Sequence, residues 1–255
     1  MQRKRYLFPL VFLFLALFTG DLRAHRLEPI STEFAAPFGP LAGSVEVTYE
    51  FEREGPGASE QAIPELELEL GLLPRFQINL GYPLLRLDEG PGESPQVVGG
   101  RLEVGARYLL FGGAVRSYAV SLQVGVETPT GPTDAVGDFT QVGALLHVDK
   151  YLGERVRLHS NLGWETTIGG QERPERVFVY RSAVVWMRSL RWNPVLEVLG
   201  ETETRTGETE LALQPEIIFW VNRHLEIKVG VPVGLTSSTP DVGVRAQIAI
   251  VWGSE

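Results

Sequence analysis

The chain has 255 residues, no cysteine and a formal net charge of −9 at pH 7. This length allows one large domain or two small ones. Without cysteine the chain has no disulfide, thiolate metal site or cysteine nucleophile, and the acidic balance argues against nucleic-acid binding. Apolar residues make up 44% of the sequence, enough for an extensive buried or lipid-facing surface.

Residues 1–24 have the pattern of a secretory signal peptide. Arg3, Lys4 and Arg5 form a basic start, residues 7–18 are an apolar core, and Ala24 is a small residue at the expected cleavage site. This pattern favours a cleaved leader over an uncleaved helix. No later segment approaches the roughly 18 consecutive apolar residues of a membrane-spanning helix, so we expect an exported protein without one.

From residue 44 onward, apolar and polar residues alternate. Val45, Val47 and Tyr49, for example, alternate with Glu46 and Thr48. A period of two is that of a strand, and it predicts twelve strands between residues 44 and 252. The ninth, at 194–202, is the least regular because Pro194 and Gly200 interrupt its phase. Residues 25–43 show no strand period and are expected to form a periplasmic arm or a luminal plug, and residues 253–255 a short tail.

Strand alternation fits both a soluble sandwich and a membrane barrel, but the connections favour the barrel. Short connections alternate with long, polar or Gly/Pro-rich ones, as in an up-and-down outer-membrane barrel with short periplasmic turns. Aromatic residues such as Trp186, Trp192, Trp220 and Trp252 lie near the predicted short turns. We therefore predict an all-β fold, an up-and-down antiparallel transmembrane β-barrel of about 12 strands, in the outer membrane of a Gram-negative bacterium.

Several short motifs resemble those of a known family. They are Ala24-His25, the run Val126-Glu127-Thr128-Pro129-Thr130-Gly131, and the closing run from Leu213-Gln214-Pro215-Glu216 through Val229-Gly230-Val231-Pro232 to Trp252. With these motifs the chain resembles the outer-membrane barrels labelled "transporter" or "meta-pathway of phenol degradation" proteins. The resemblance implies an outer-membrane location and passage of small molecules, and it supplies no catalytic residue.

The polar face of the strands predicts a charged lumen. Acidic residues come from the first two strands and basic residues from later ones, so acids are expected on one wall and bases on another. Such a lumen sorts solutes by charge, whereas pairing of the same charges gives a plugged interior; both remain open. The predicted lumen-lining residues are Glu46, Glu50, Glu65, Glu67, Glu69, Arg101, Arg107, Arg157, Arg181, Lys228 and Arg245.

His147 and His159 flank a short turn near Gly153 and share an inward face. Paired positions that sum to 306 place the two histidines directly opposite each other, and sums of 304 or 308 offset them by two residues. Opposite imidazoles are close enough to share a metal, yet no further ligands are evident, so we assign no metal and no cofactor. Ser121 is predicted to lie inside, diagonal to His147, where a lipid ester has poor access.

These features predict a passive channel or uptake component for small molecules, not an enzyme. The alternative is a non-transporting structural or binding barrel with a plugged lumen, and a more distant one is a lipid-modifying outer-membrane enzyme. The expected partners are the lipid bilayer, small solutes and, during biogenesis, the barrel-assembly machinery. No nucleic acid is expected.

Overall fold

The computed structural model describes residues 28–53, 60–87, 96–113, 117–170 and 175–253. The predicted leader, residues 25–27 and the last two residues lie outside the described residues. No helix in these ranges has the length and apolar content needed to cross a membrane. The described elements are β1 (Gly43–Arg53), β2 (Glu60–Leu73), β3 (Phe76–Leu87), β4 (Gln96–Gly99), β5 (Arg101–Gly112), β6 (Tyr118–Pro129), α1 (Thr133–Val136), β7 (Phe139–Leu152), β8 (Val156–Gly169), β9 (Arg176–Trp186), β10 (Trp192–Glu203), β11 (Thr209–Trp220), β12 (Leu225–Gly230), β13 (Val233–Gly234) and β14 (Val242–Trp252).

The strands close into a single antiparallel barrel. Each pairs with its neighbours in chain order, and β1 pairs with β14 from Gly43 opposite Trp252 to Arg53 opposite Val242. The short strand β4 extends the end of β3, and β13 follows β12 after a break at Val231 and Pro232. In the described residues this leaves twelve strands around the barrel, which confirms the predicted fold class.

The two faces of each strand differ as the sequence pattern predicts. Inward side chains such as Glu46, Gln77 and Asn161 are buried and polar. Outward side chains form an exposed apolar band, which a water-soluble sandwich would have to bury. Members of this band, each between 42% and 52% exposed, are Val47, Leu66, Val104, Leu122, Val124, Leu162, Val184, Leu196, Ile217, Val244 and Ile248.

The connections divide the barrel into a short-turn end and a long-loop end. At the short-turn end the connections are residues 74–75, 113–117, 153–155, 187–191 and 221–224. Exposed Trp186 and Trp192 lie there, whereas Trp164, Phe178 and Tyr180 stack near the long-loop end with ring centroids 4.8 Å and 5.9 Å apart. Trp220 also lies near a short turn, as predicted, but it faces the lumen and is 1% exposed.

Gly200 explains why the ninth predicted strand is irregular. This strand is β10, and Gly200 lies directly opposite Tyr180 of β9. A β-carbon on Gly200 would come within 2.0 Å of the Tyr180 ring. Glycine therefore allows the aromatic ring to lie flat over the neighbouring strand, and the residue that breaks the apolar pattern serves the packing.

Residues 28–42, here called the luminal segment, precede β1 and lie inside the barrel. The segment joins the wall at the short-turn end, where the Leu41 amide donates to the Gly71 carbonyl (2.8 Å) and the Gly71 amide to Ala42 (2.9 Å). Leu41 has a φ of 65° at the bend into β1. Thr32 and Ala35, farther along the segment, are completely buried. The segment thus occupies the half of the lumen nearer the short turns, here called the inner half.

Candidate functional site

Side chains of the barrel wall bind the backbone of the luminal segment. An extended segment inside a barrel has no ladder partner for its amides, which must be satisfied by other acceptors. Inward carboxylate and amide oxygens of the wall supply these acceptors and thereby bind the backbone of the luminal segment. The bonds run from the amide of Ile30 to Glu216 (3.1 Å), of Thr32 to Glu197 (2.9 Å), of Glu33 to Asn161 (2.8 Å), of Ala35 to Asp149 (2.9 Å) and of Phe38 to Gln77 (2.9 Å).

Phe34 is the main anchor of the luminal segment. Its ring lies beneath the Arg157 guanidinium, 3.6 Å from the ring centroid, and 5.8 Å from the ring of His159. Arg107 donates to the Phe34 carbonyl (2.6 Å) and forms an ion pair with Glu33. Both arginines were predicted to line the lumen, and both contact the luminal segment there.

An apolar cluster fills the lumen at the short-turn end. Phe38 and Ala42 of the luminal segment pack against Val185, Ile218 and Trp220 from β9 and β11. Close packing of these buried apolar side chains excludes water from between them. The luminal segment and this cluster together close the inner half of the barrel.

The register of β7 and β8 corrects the predicted histidine pair. Paired positions sum to 308 and not to 306, so His147 lies opposite Asn161, and His159 lies opposite Asp149. The turn has its centre at Glu154 and not at Gly153 as the prediction assumed, because β8 begins at Val156 opposite Leu152. Asp149 and Arg157, which a sum of 306 would also place opposite each other, form a diagonal ion pair at 3.3 Å.

Both histidines use a ring nitrogen for the polar network around the luminal segment. His159 Nδ1 lies 2.8 Å from Asp149 Oδ1, and His147 Nδ1 lies 2.7 Å from the Asn161 side-chain nitrogen. Asn161 is itself fixed, because it accepts from the Glu33 amide and donates to the Glu33 carbonyl. In the described residues no group of three or more side chains of metal-binding type lies together.

The contacts of His147 bear on the enzyme alternative. Ser121 lies directly opposite His147, not diagonal to it as predicted. Asn161 presents its amide nitrogen to His147 Nδ1 at 2.7 Å, so this ring nitrogen is engaged with Asn161 and not with Ser121. A general base for a serine needs an unprotonated nitrogen directed at the hydroxyl. The arrangement therefore favours a structural role for His147.

A cavity of about 560 Å³ occupies the half of the lumen nearer the long loops. Its floor is formed by Ile30 and Ser31 of the luminal segment. Five carboxylates and two guanidinium groups line it, so its walls carry a net negative charge. The charged lining residues are Glu50, Glu65, Glu67, Glu201, Glu210, Arg181 and Arg245.

Both arginines of this cavity form ion pairs with its carboxylates. Arg181 Nη2 lies 2.8 Å from Glu201 Oε1, and Arg245 contacts Glu50. Both arginines also donate to Ser31, to its carbonyl (3.5 Å) and its hydroxyl (2.9 Å). In the described residues no cation lies within ion-pair distance of Glu65 or Glu67, so these two carboxyl groups line the cavity without a basic partner.

A second, smaller recess continues the acidic lining along the wall. Gly105, Gly125 and Gly143 lie opposite one another on β5, β6 and β7. Their missing side chains leave a shallow depression, which Glu103, Glu127, Gln141 and Glu165 border. Gln141 donates to Glu165 (2.6 Å), although Gly143 and not Gln141 is the direct partner of Glu165.

The predicted lumen-lining residues divide into two groups of five, with Arg101 apart from both. Glu50, Glu65, Glu67, Arg181 and Arg245 line the cavity. Five others lie in the packed inner half: Glu46, Glu69, Arg107, Arg157 and Lys228. Arg101, at the long-loop end, donates to the carbonyls of Val136 and Phe139.

The predicted separation of acids and bases onto opposite walls is wrong. Lys228 lies 3.1 Å from Glu226 of its own strand and 3.8 Å from Glu46. Sequence reasoning missed the inward acids of later strands, although the alternation along each strand is the signal that could have placed them inside. They are Glu103, Glu127, Glu165, Glu197, Glu201, Glu210, Glu216 and Glu226.

Solved outer-membrane channels share this fold. An outer-membrane channel from Pseudomonas putida F1 has a TM-score of 0.63 and 13% identity, covering 89% of this chain and 100% of that chain. The KdgM porin, in a complex with disordered oligogalacturonate, has a TM-score of 0.58 and 8% identity, covering 83% and 99%. No protein-family model and no curated protein sequence matches the chain. At these identities the likeness shows the fold, which is that of bacterial outer-membrane barrels.

Proposed function

We propose that the protein is a passive outer-membrane channel for small solutes, with a preference for cations, and that the luminal segment holds it closed. The observation that carries this proposal is the cavity of about 560 Å³, which is lined by five carboxylates and floored by the luminal segment. A pore wall with excess negative charge concentrates cations and repels anions. The likeness to solved channels agrees with this function.

The membrane setting follows from the outer surface. A closed barrel satisfies its backbone hydrogen bonds internally, as the hydrocarbon core of a bilayer requires. The apolar band covers the outward face, and exposed aromatic residues lie towards both ends, where a membrane presents its interfaces. We place the short-turn end in the periplasm, because outer-membrane barrels have short turns there.

The closed inner half also supports a second function, a binding barrel that transports nothing. In both cases the luminal segment is the plug, and the two functions differ in whether it leaves. Apart from the backbone bonds of Leu41 and Ala42 to Gly71, the wall holds it through side chains, and Phe34 and Phe38 are its main apolar anchors. A segment held in this way can be released without breaking the barrel ladder, which favours the channel.

Reversal potentials in planar bilayers test the proposal. The purified protein, reconstituted under a potassium chloride gradient, should show potassium favoured over chloride whenever it conducts. Glu65→Gln with Glu67→Gln should bring the permeability ratio towards one. Glu154→Gln, an exposed change in the turn between β7 and β8, is the matched control and should leave the ratio unchanged.

Two results would count against the proposal. An anion preference, or a ratio that the lumen substitutions do not move, would reject the selectivity. Absence of conductance under all voltages, with the barrel folded, would favour the non-transporting barrel.

The narrower predictions rest on the sequence alone. A cleaved signal peptide and assembly by the barrel-assembly machinery are the expected route of an exported barrel. The resemblance to "meta-pathway of phenol degradation" barrels implies passage of small molecules and names no solute. We infer no particular solute, because the cavity lining described above selects by charge and size.

A further inference from the structure

The short-turn end of the barrel carries a ring of exposed cations, here called the basic rim. Its described members are Arg75, Lys150, Arg155, Arg188, Arg191 and Arg223. In the described residues of these five connections, Glu154 is the one carboxylate. The opposite end differs, because exposed Asp138, Glu175, Glu208 and Asp241 accompany its arginines. The protein thus has a strong charge asymmetry along the barrel axis.

Basic-rim residues lie beside exposed aromatic rings. Arg75 lies 5.7 Å from the centroid of Tyr108, Lys150 lies 5.9 Å from Tyr118, and Arg188 lies 5.6 Å from Trp192. These rings are on the outward face, at the edge of the apolar band. Cations directly above an interfacial aromatic belt lie at the depth of lipid headgroups.

Three arginines of the rim belong to two turns that are joined by a hydrogen bond. The Met187 amide donates to the Arg155 carbonyl (2.8 Å), which joins the turn before β8 to the turn after β9. Arg188 and Arg191 belong to that second turn. Ser189 fixes the turn, because its hydroxyl accepts from the amides of Arg191 (3.1 Å) and Trp192 (2.9 Å). The backbone under these guanidinium groups is therefore preorganised.

We propose that Arg155, Arg188 and Arg191, with Trp186 and Trp192, bind the headgroup of an anionic glycerophospholipid. Guanidinium groups suit a phosphate diester, since each presents several donors. Directly below them Trp186 is 52% exposed and Val184 is 44% exposed, an apolar surface for an acyl chain. A soluble phosphate would use the guanidinium groups alone, and the joined apolar surface is why we assign a lipid.

The inference rests on the proposed membrane setting but not on conduction. It concerns the leaflet that faces the short-turn end, the periplasmic leaflet in the orientation proposed above. Each arginine near an anionic membrane surface contributes about a fivefold gain in lipid affinity. Three together account for a strong preference for anionic over zwitterionic lipid.

Native mass spectrometry of the purified protein with added lipid tests this site. The probes are phosphatidylglycerol and phosphatidylcholine with identical acyl chains. Wild type should retain phosphatidylglycerol in preference. The triple variant Arg155→Gln, Arg188→Gln, Arg191→Gln should lose that preference, by about fivefold for each arginine. The control variant Arg176→Gln, Arg205→Gln removes exposed arginines at the opposite end and should bind like wild type.

The remaining outcomes each decide against a part of the inference. Equal retention of both lipids by wild type, or an unchanged preference in the triple variant, would overturn it. An equal loss in the control variant would reduce it to a general charge effect and also overturn it. Displacement of the lipid by glycerol phosphate at equal concentration would assign the site to a soluble phosphate. Failure to insert into phosphatidylcholine vesicles would instead contradict the membrane setting.

Discussion

Replacing Phe34 by alanine should open the barrel without unfolding it. Phe34 is 4% exposed, and its ring packs under Arg157 at 3.6 Å and near His159 at 5.8 Å. Burial of a phenylalanine side chain is worth about 1.5–3 kcal/mol, and a desolvated cation–π contact adds about 0.5–2 kcal/mol. The substitution should therefore weaken docking of the luminal segment by about 2–5 kcal/mol. At about 1.4 kcal/mol per tenfold change, the released state rises at least about 25-fold.

The barrel itself should tolerate this change, because its ladder does not include Phe34. Single-channel recording of the reconstituted variant should show a higher open probability than wild type. Phe111→Ala is the matched control: the same residue type is 63% exposed on the outward face, and its loss should not alter gating. An open probability equal to that of wild type, in a variant that is folded, would refute the role of the luminal segment as the gate. A change of equal size in Phe111→Ala would refute the role of Phe34 as its specific anchor.

Three further predictions concern the barrel. Unboiled and boiled samples should migrate differently on a detergent gel, because a closed ladder resists detergent until heated; identical migration would count against closure. Leu122→Arg should reduce the yield of folded protein, since a cation at mid-bilayer costs about 2–4 kcal/mol. Gln141→Arg places its cation in the acidic recess beside Glu165 and should be tolerated. Equal yields of the two variants would contradict the assigned facing of these residues. Cysteines at positions 146 and 162, which are direct partners, should cross-link more readily than cysteines at positions 146 and 160. Faster cross-linking of the second pair would support a pairing sum of 306 instead of 308.

The alternation of residues was sufficient to predict the barrel wall. A strand between lipid and a polar lumen must alternate along its length, so Val45 to Phe51 and Val244 to Ile250 already indicate both faces. Connection lengths indicated the up-and-down order for the same reason, because they depend on neighbours in the chain. The irregular ninth strand kept its place, since Pro194 and Gly200 affect local packing and not the order of strands.

Register and the filling of the lumen needed the tertiary structure. Parity cannot distinguish pairing sums of 306 and 308, because both keep His147 and His159 inside; the geometry of the turn at Gly153 decides. Trp220 is of a residue type that is common at membrane interfaces, yet it faces the lumen and packs in the apolar cluster.

The sequence likewise could not predict that one half of the lumen binds the luminal segment and the other half forms a cavity. Glu197 and Glu65 are both glutamates, and strand alternation directs both side chains into the lumen. Glu197 accepts from the Thr32 amide, whereas Glu65 lines the cavity. The sequence by itself determined which side chains face inward, because facing depends on local periodicity. Only the tertiary structure decided which of them bind the luminal segment and which line the cavity, because that depends on where residues 28–42 lie along the barrel.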